Sequence, residues 1–270
     1  MPELPEVEVT RLGISPNLVG ATVSGVTCRV ARLRYPLPAQ LEAVLSGQTL
    51  RSIERRGKYL LFAFQTGHLL LHLGMTGSLR LLPRTASVER HDHVDLVFGA
   101  ICLRLHDPRR FGAVLWLTGD PAKHPLIAVL GQEPLAPEFT PDWLFAQSRG
   151  KNAPIKQALM DSHLVVGIGN IYACESLFHA RIDPRTPARK ISLRRYQRLV
   201  PAIRTTLAAA IAAGGSSLRD FVHADGSSGY FQQQYCVYGR SGETCRECGG
   251  TIRSLRQGGR ASFYCARCQR

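Results

Sequence analysis

The chain has 270 residues, with 34 Lys and Arg against 20 Asp and Glu and a formal charge of +14. That length buries a real core and suits one or two domains plus a small appendage, while the charge points to a polyanionic partner. No apolar run reaches the ~18 residues that a bilayer span needs. Arg supplies 29 of the cations, which a GC-rich coding sequence would also produce, so only the sign of the charge is used.

In chain order, the pattern predicts a first helix from about Pro5 to Leu18, with Val7, Ile14 and Leu18 on one face. The acidic start gives no secretory signal. From Ala21 to about Thr118 the texture is short β-rich runs: Leu50–Arg56, Lys58–Phe64, His68–Leu73, Ser78–Leu82, His93–Phe98, Ile101–His106 and Ala113–Leu117. Phe98-Gly99-Ala100-Ile101 reads as a hairpin tip. Such strands suggest an antiparallel sandwich with the helix alongside. The pattern turns helical around Asp120–Leu135, with a proline-marked linker near 131–137. Helices are predicted at Pro141–Ser148, Ile155–Met160, Asn170–Ala180 and Ser192–Ala213, the last stopped by Gly214-Gly215. A Gly/Ser-rich loop, Ala224–Gly229, leads to a cysteine module. The division expected is 1–130, 131–235 and 236–270.

Cys245-x2-Cys248-x16-Cys265-x2-Cys268 matches a closed four-cysteine site for one structural Zn²⁺. A redox CxxC pair is the alternative. Four thiolates and Zn²⁺ carry a net −2, yet residues 236–270 hold seven Arg against two Glu. The module stays basic, and Arg253, Arg256 and Arg260 lie on the excursion between its knuckles. Removing Met1 would leave a secondary amine on Pro2, able to attack an electrophilic carbon, with Glu3 beside it to move protons. The same residues equally start a helix, Glu3 and Glu6 complementing its dipole.

Other segments also read two ways. Leu164–Tyr172 contains Gly167-Ile168-Gly169-Asn170, either a plain helix–helix turn or a phosphate cradle in which Asn170 caps the helix. His91-Asp92-His93-Val94-Asp95 would place His91, His93 and Asp95 on one strand face, as a metal site or a DNA-facing or structural histidine pair. Asp107-Pro108-Arg109-Arg110-Phe111-Gly112 is a hairpin turn with a buried Phe, or a wedge that enters a base step. Met75, in Gly74-Met75-Thr76-Gly77, is a further candidate for the wedge. Arg55-Arg56-Gly57-Lys58 either tracks phosphates or ends a solvated strand.

Seven segments in order, PELPEVE, RRGKYL, HLGMTG, HDHVDL, DPRRFG, LVVGIGNIY and the closing SFYC with its CQ, together resemble the bacterial formamidopyrimidine-DNA glycosylases over essentially the whole chain. The resemblance implies an α+β multidomain fold: an N-terminal antiparallel β-sandwich with a flanking helix, a helix-two-turn-helix domain and a C-terminal β-hairpin zinc finger. It implies a glycosylase/AP lyase that excises oxidised purines from damaged double-stranded DNA, as a cytoplasmic monomer with no membrane association. Pro2 would attack C1′, Glu3 assist sugar opening and base departure, and Glu6 support the pocket. Lys58 would assist β-elimination and Arg260 δ-elimination. His91, Arg109, Lys151 and Asn170 would contact DNA, and Met75, Arg109 and Phe111 would fill the space left by the flipped base. The loop after Phe221, to about Gly229, would close over the extruded base. Cys174 departs from the small polar or acidic residue expected before Glu175. The alternatives are an endonuclease VIII-type enzyme for oxidised pyrimidines, a non-catalytic zinc-finger DNA-binding protein, and a metal-dependent phosphodiesterase using His91, His93 and Asp95.

Overall fold

A computed structural model describes residues 1–215 and 234–270. The chain divides into two compact units, Met1–Ala128 with the segment that begins at Ala213, and Val129–Ala212 with the segment that ends at Arg270.

The first unit opens with α1 (Leu4–Leu18), then β1 (Gly25–Cys28), α2 (Leu41–Leu45) and seven strands: β2 (Ser52–Arg56), β3 (Tyr59–Ala63), β4 (His68–His72), β5 (Ser78–Pro83), β6 (Asp92–Phe98), β7 (Ile101–His106) and β8 (Ala113–Leu117). A short 3-10 turn and α3 (Pro125–Ala128) close it. The strands form two four-stranded antiparallel sheets, ordered β1-β6-β7-β5 and β2-β3-β4-β8. Alternating side chains of both sheets meet in one core, with Leu60, Phe62, Leu69 and Leu71 from one and Val94, Leu96, Leu103 and Leu105 from the other. Val7, Ile14 and Leu18 of α1 join that core at the helical spacing read from the sequence. Each predicted strand is present within a residue or two, and Gly99-Ala100 makes the hairpin tip between β6 and β7. β1 and α2 lie outside the predicted set.

Inside the first sheet a guanidinium is fully buried. Arg104 on β7 pairs with Asp95, its cross-strand partner on β6, through Nε (2.8 Å) and Nη2 (2.9 Å). Its Nη1 donates to the Ser87 carbonyl at 2.7 Å, and Arg29 reaches the same Asp95 at 2.6 Å. These two cations and their hydrogen bonds hold the Asp95 carboxyl below its usual range despite burial, which opposes ionisation.

The second unit is helical: α4 (Pro141–Ser148), α5 (Ile155–Leu159), α6 (Asn170–His179) and α7 (Leu193–Ala212), followed by the hairpin β9 (Ile252–Gln257) and β10 (Arg260–Cys265). Thr140 caps α4 through Oγ1, which accepts from the Trp143 amide at 3.1 Å. Beyond α7, Gly214 and Gly215 take φ of 77° and 75°, a left-handed conformation that ends the helix where glycine tolerates it. Among the described residues no helix is long and apolar enough to cross a membrane.

Removing Asp95 leaves the buried Arg104 with one carboxylate, Asp92, at a long 3.5 Å from Nη1. Asp95→Ala should therefore destabilise the first unit by about 3–5 kcal/mol, read as a lowered urea midpoint with zinc content retained. A loss below ~1 kcal/mol would place Arg104 among cations that relax to solvent.

Candidate functional site

At the head of α1, Glu3 and Glu6 cap each other: the Glu3 side chain accepts from the Glu6 amide, and Glu6 Oε2 accepts from the Glu3 amide at 2.9 Å. Both carboxylates and Pro2 are buried. One turn later, Glu8 receives Arg11 at 2.6 Å and Arg55 at 2.9 Å. The Arg55 guanidinium also donates to the Gly57 carbonyl at 3.0 Å. Lys58 thus sits in the β2–β3 turn, at the end of a chain of ion pairs that begins on α1. Gly57 has φ 59°, so that turn uses a backbone conformation natural to glycine.

A second cluster in the same unit gathers around Asp107, which is fully buried. Its Oδ2 accepts from the Gly112 amide at 2.7 Å and its Oδ1 faces Thr76 Oγ1 at 3.5 Å. Its amide donates to the His91 carbonyl at 3.0 Å, and its carbonyl accepts from His93 Nε2 at 3.0 Å. The turns carrying Met75, His91 and Arg109–Phe111 are therefore tied to one residue. Gly74 packs so closely that a Cβ there would lie 2.4 Å from the Phe111 carbonyl carbon. Phe111 is 46% exposed, which removes the buried-Phe reading of that turn, and the Arg109 guanidinium lies 4.7 Å from its ring centroid. Next to this cluster, His72 Nδ1 accepts the Gly74 amide at 2.9 Å. Burial first, then Lys58 and Arg34, push the His72 imidazole down to about 4.

The shared strand face expected for His91, His93 and Asp95 does not form. His91 precedes β6 with φ 76°, and the ladder is irregular between Asp92 and Val94, so the alternation breaks. His93 turns to Asp107 and Asp95 to the buried arginine. These three residues do not form a metal group.

In the second unit, Gly167 has φ 82° and Gly169, not Asn170, is the N-cap of α6. Asn170 is the first helical residue, and its Nδ2 donates to the Ala261 carbonyl at 2.9 Å. The fully buried Lys156, which the motif reading overlooked, donates to the same carbonyl at 2.9 Å and to Ser262 Oγ at 2.7 Å. Arg260 is thereby held next to a doubly anchored carbonyl, just after the Gly258-Gly259 turn, whose φ values are 52° and 78°. A lysine in an apolar helix stretch, Pro154-Ile155-Lys156-Gln157-Ala158-Leu159, was the only available signal. Lys151 lies in the segment after α4, with Nζ 3.7 Å from Asp161. The loop at 222–229 lies outside the described residues.

The four cysteine sulfurs lie within 4.8 Å of one another, with Cys245–Cys268 at 3.9 Å and Cys248–Cys265 at 3.5 Å. A tetrahedral ion with Zn–S bonds of about 2.3 Å requires sulfurs about 3.8 Å apart. Burial and the neighbouring sulfurs raise the Cys268 thiol well above its ordinary value, a strain that a dication removes. The donor set fits Zn²⁺. Gln269 fixes the second knuckle, accepting from the Cys265 amide at 2.9 Å and donating to the Ile182 carbonyl at 2.8 Å. Glu175 of α6 accepts from the amides of Cys236, Val237 and Tyr238 at 2.8, 3.0 and 2.8 Å, stapling the approach to the module.

Residues 1–114 match the formamidopyrimidine-DNA glycosylase N-terminal domain, 130–222 its H2TH domain, and 242–270 the zinc finger found in FPG and IleRS. The formamidopyrimidine-DNA glycosylase of Acidithiobacillus ferrooxidans is 56% identical over all of both chains. The chain belongs to the formamidopyrimidine-DNA glycosylase family. A Janthinobacterium member is 54% identical over the full length of both. The MutM (Fpg) protein of Thermus thermophilus superposes with a TM-score of 0.89 at 39% identity, covering 99% of this chain and 98% of that one. A Lactococcus lactis FPG variant in complex with Fapy-dG-containing DNA gives 0.93 at 33% identity over all of both chains.

Two outcomes follow from this geometry. Unfolded histidine takes a proton near its ordinary value, whereas folded His72 resists it to about 4. Its contribution is complete above the unfolded value and lost as pH falls through that window, and His93 shifts in the same direction. The stability difference between pH 7 and pH 5 should shrink in His72→Asn; an unchanged difference would remove His72 from the account. Chelating zinc should unfold the hairpin that carries Arg260 and weaken DNA binding, with both restored by Zn²⁺. Retention of the hairpin's NMR dispersion without metal would contradict this.

Proposed function

We propose that this chain excises oxidised purines, formamidopyrimidines and 8-oxoguanine, from duplex DNA and then cuts the backbone at the resulting abasic site. The observation that carries the proposal is the buried Pro2 beside the reciprocal Glu3–Glu6 cap. Once Met1 is removed, Pro2 is a secondary amine held at the head of a helix next to two carboxyl groups. Its nitrogen attacks C1′ of an extruded nucleoside, the C1′–base bond breaks, and the proton that the alkylated nitrogen sheds goes to the departing base. Glu3 delivers a proton to the sugar ring oxygen as the ring opens and the nitrogen lone pair forms the iminium. The iminium acidifies the C2′ hydrogens. Loss of one, assisted by Lys58, expels the 3′ phosphate, and a second elimination, assisted by Arg260, expels the 5′ phosphate. Glu6 keeps Glu3 in place.

Met75, Arg109 and Phe111 fill the gap in the stack, which suits turns already interlocked and an aromatic ring held out to solvent. His91, Arg109, Lys151 and Asn170 contact the backbone. The functional segments are 1–130 for chemistry, 131–235 for backbone binding and lesion closure, and 236–270 for the zinc finger, whose Zn²⁺ supports the fold and takes no part in bond breaking. The enzyme works as a monomer in the cytoplasm. A Lactococcus lactis FPG complex holds an oxidised pyrimidine, so both lesion classes belong in the substrate panel.

The test is reductive trapping. Mature protein incubated with lesion duplex and borohydride should give a covalent adduct, insensitive to brief EDTA treatment and at least about tenfold weaker in Pro2→Gly. Equal trapping by that variant, or none by the wild type, would sink the proposed nucleophile.

A further inference from the structure

At the C-terminal end of α6, five arginines line one cavity of about 690 Å³: Arg181, Arg195, Arg198, Arg267 and Arg270. They come from the turn after α6, one face of α7 at i,i+3 spacing, and the second zinc knuckle. All but the half-buried Arg195 are exposed. Cys248 and Cys268 also line the space, and Glu247 is the one acidic side chain there. Among the described residues none of the five is in an ion pair with an Asp or Glu side chain, and Asp183 close by is already held by Arg185 at 2.6 Å. The Arg195 guanidinium donates to the backbone oxygen of Arg270, the last residue of the sequence. Burial and the adjacent Arg198 push the Arg195 guanidinium below its ordinary value, the mark of crowded cations.

A zinc tetrathiolate contributes a net −2, and Glu247 and the carboxyl group of Arg270 one charge each, so the five guanidinium groups still exceed the negative charge. A concave surface of one sign focuses its field and collects counter-ions. The Gly167–Asn170 turn lies at the other end of α6, a helix of ten residues and so about 15 Å long. A backbone seated at that turn leaves the cavity for another ligand. The arginines are spread around an open rim rather than closed over one ion, and planar guanidinium forks suit successive phosphates along a strand.

We propose that this cavity is a second phosphodiester site, which takes a separate DNA segment while the first is bound at the Gly167–Asn170 turn. It rests on DNA being the partner, as proposed above. Its use is direct transfer: a second duplex engages before the first is released, which speeds movement among undamaged segments.

The experiment follows release of a labelled duplex carrying an uncleavable abasic analogue, at fixed ionic strength, as unlabelled undamaged duplex is raised. The wild-type release rate should climb about threefold or more with competitor, as a second bound segment displaces the first. In Arg181→Gln/Arg198→Gln the rate should be flat with zinc content unchanged; if that variant loses zinc, Arg198→Gln alone should give a shallower slope. A flat wild-type rate, or an equal climb in the variant, overturns the proposal. Inorganic phosphate, matched for phosphate content, should not accelerate release. Acceleration by phosphate that the variant abolishes would assign the cavity to the free ion and overturn the DNA assignment. Failure of the labelled duplex to bind at all would instead count against the repair reading, so the two failures are distinguishable.

Discussion

Much of the first unit's candidate surface depends on Asp107. The Arg109–Phe111 turn is exposed, Met75 and His91 are half-buried on theirs, and a turn with little core contact is free to move. One carboxyl group removed from water, accepting from a backbone amide at 2.7 Å and facing a threonine hydroxyl, supplies what packing cannot. Its own backbone amide and carbonyl take up His91 and His93. Asp107 therefore fixes the spacing of side chains that never touch it.

The second unit solves the same problem with a backbone group. The Ala261 carbonyl receives a helix-start asparagine and a buried ammonium, so the exposed Arg260 beside it is positioned from behind. Zinc fixes the far end of the hairpin and Glu175 its approach. In both units the residues that meet solvent are held by neighbours that do not.

The legible part of the sequence was what has a period or a fixed spacing. Val7, Ile14 and Leu18 mark the buried face of α1, alternation marks the central strands, and the two CxxC pairs mark the metal. Turn geometry was less legible. His91 adopts a left-handed conformation that histidine rarely takes, so the strand period read through it placed three side chains on one face where the backbone separates them. Asn170 looked like a cap because asparagine often is one, yet Gly169 takes the N-cap position and the Asn170 Nδ2 donates to a tertiary acceptor on the hairpin. Lys156 left almost no signal, since its meaning lies in a carbonyl more than a hundred residues away along the chain.

The contact between Gly74 and the backbone at Phe111 has a consequence for the entropy of recognition. With no side chain between them, the two turns meet backbone to backbone and have little room to rearrange independently. A tooth assembled before it meets its substrate has little freedom left to lose, so the cost of opening a base stack falls on the DNA and scales with how easily that step unstacks. Under the proposed role, the protein's rigidity becomes a gauge of the duplex's weakness.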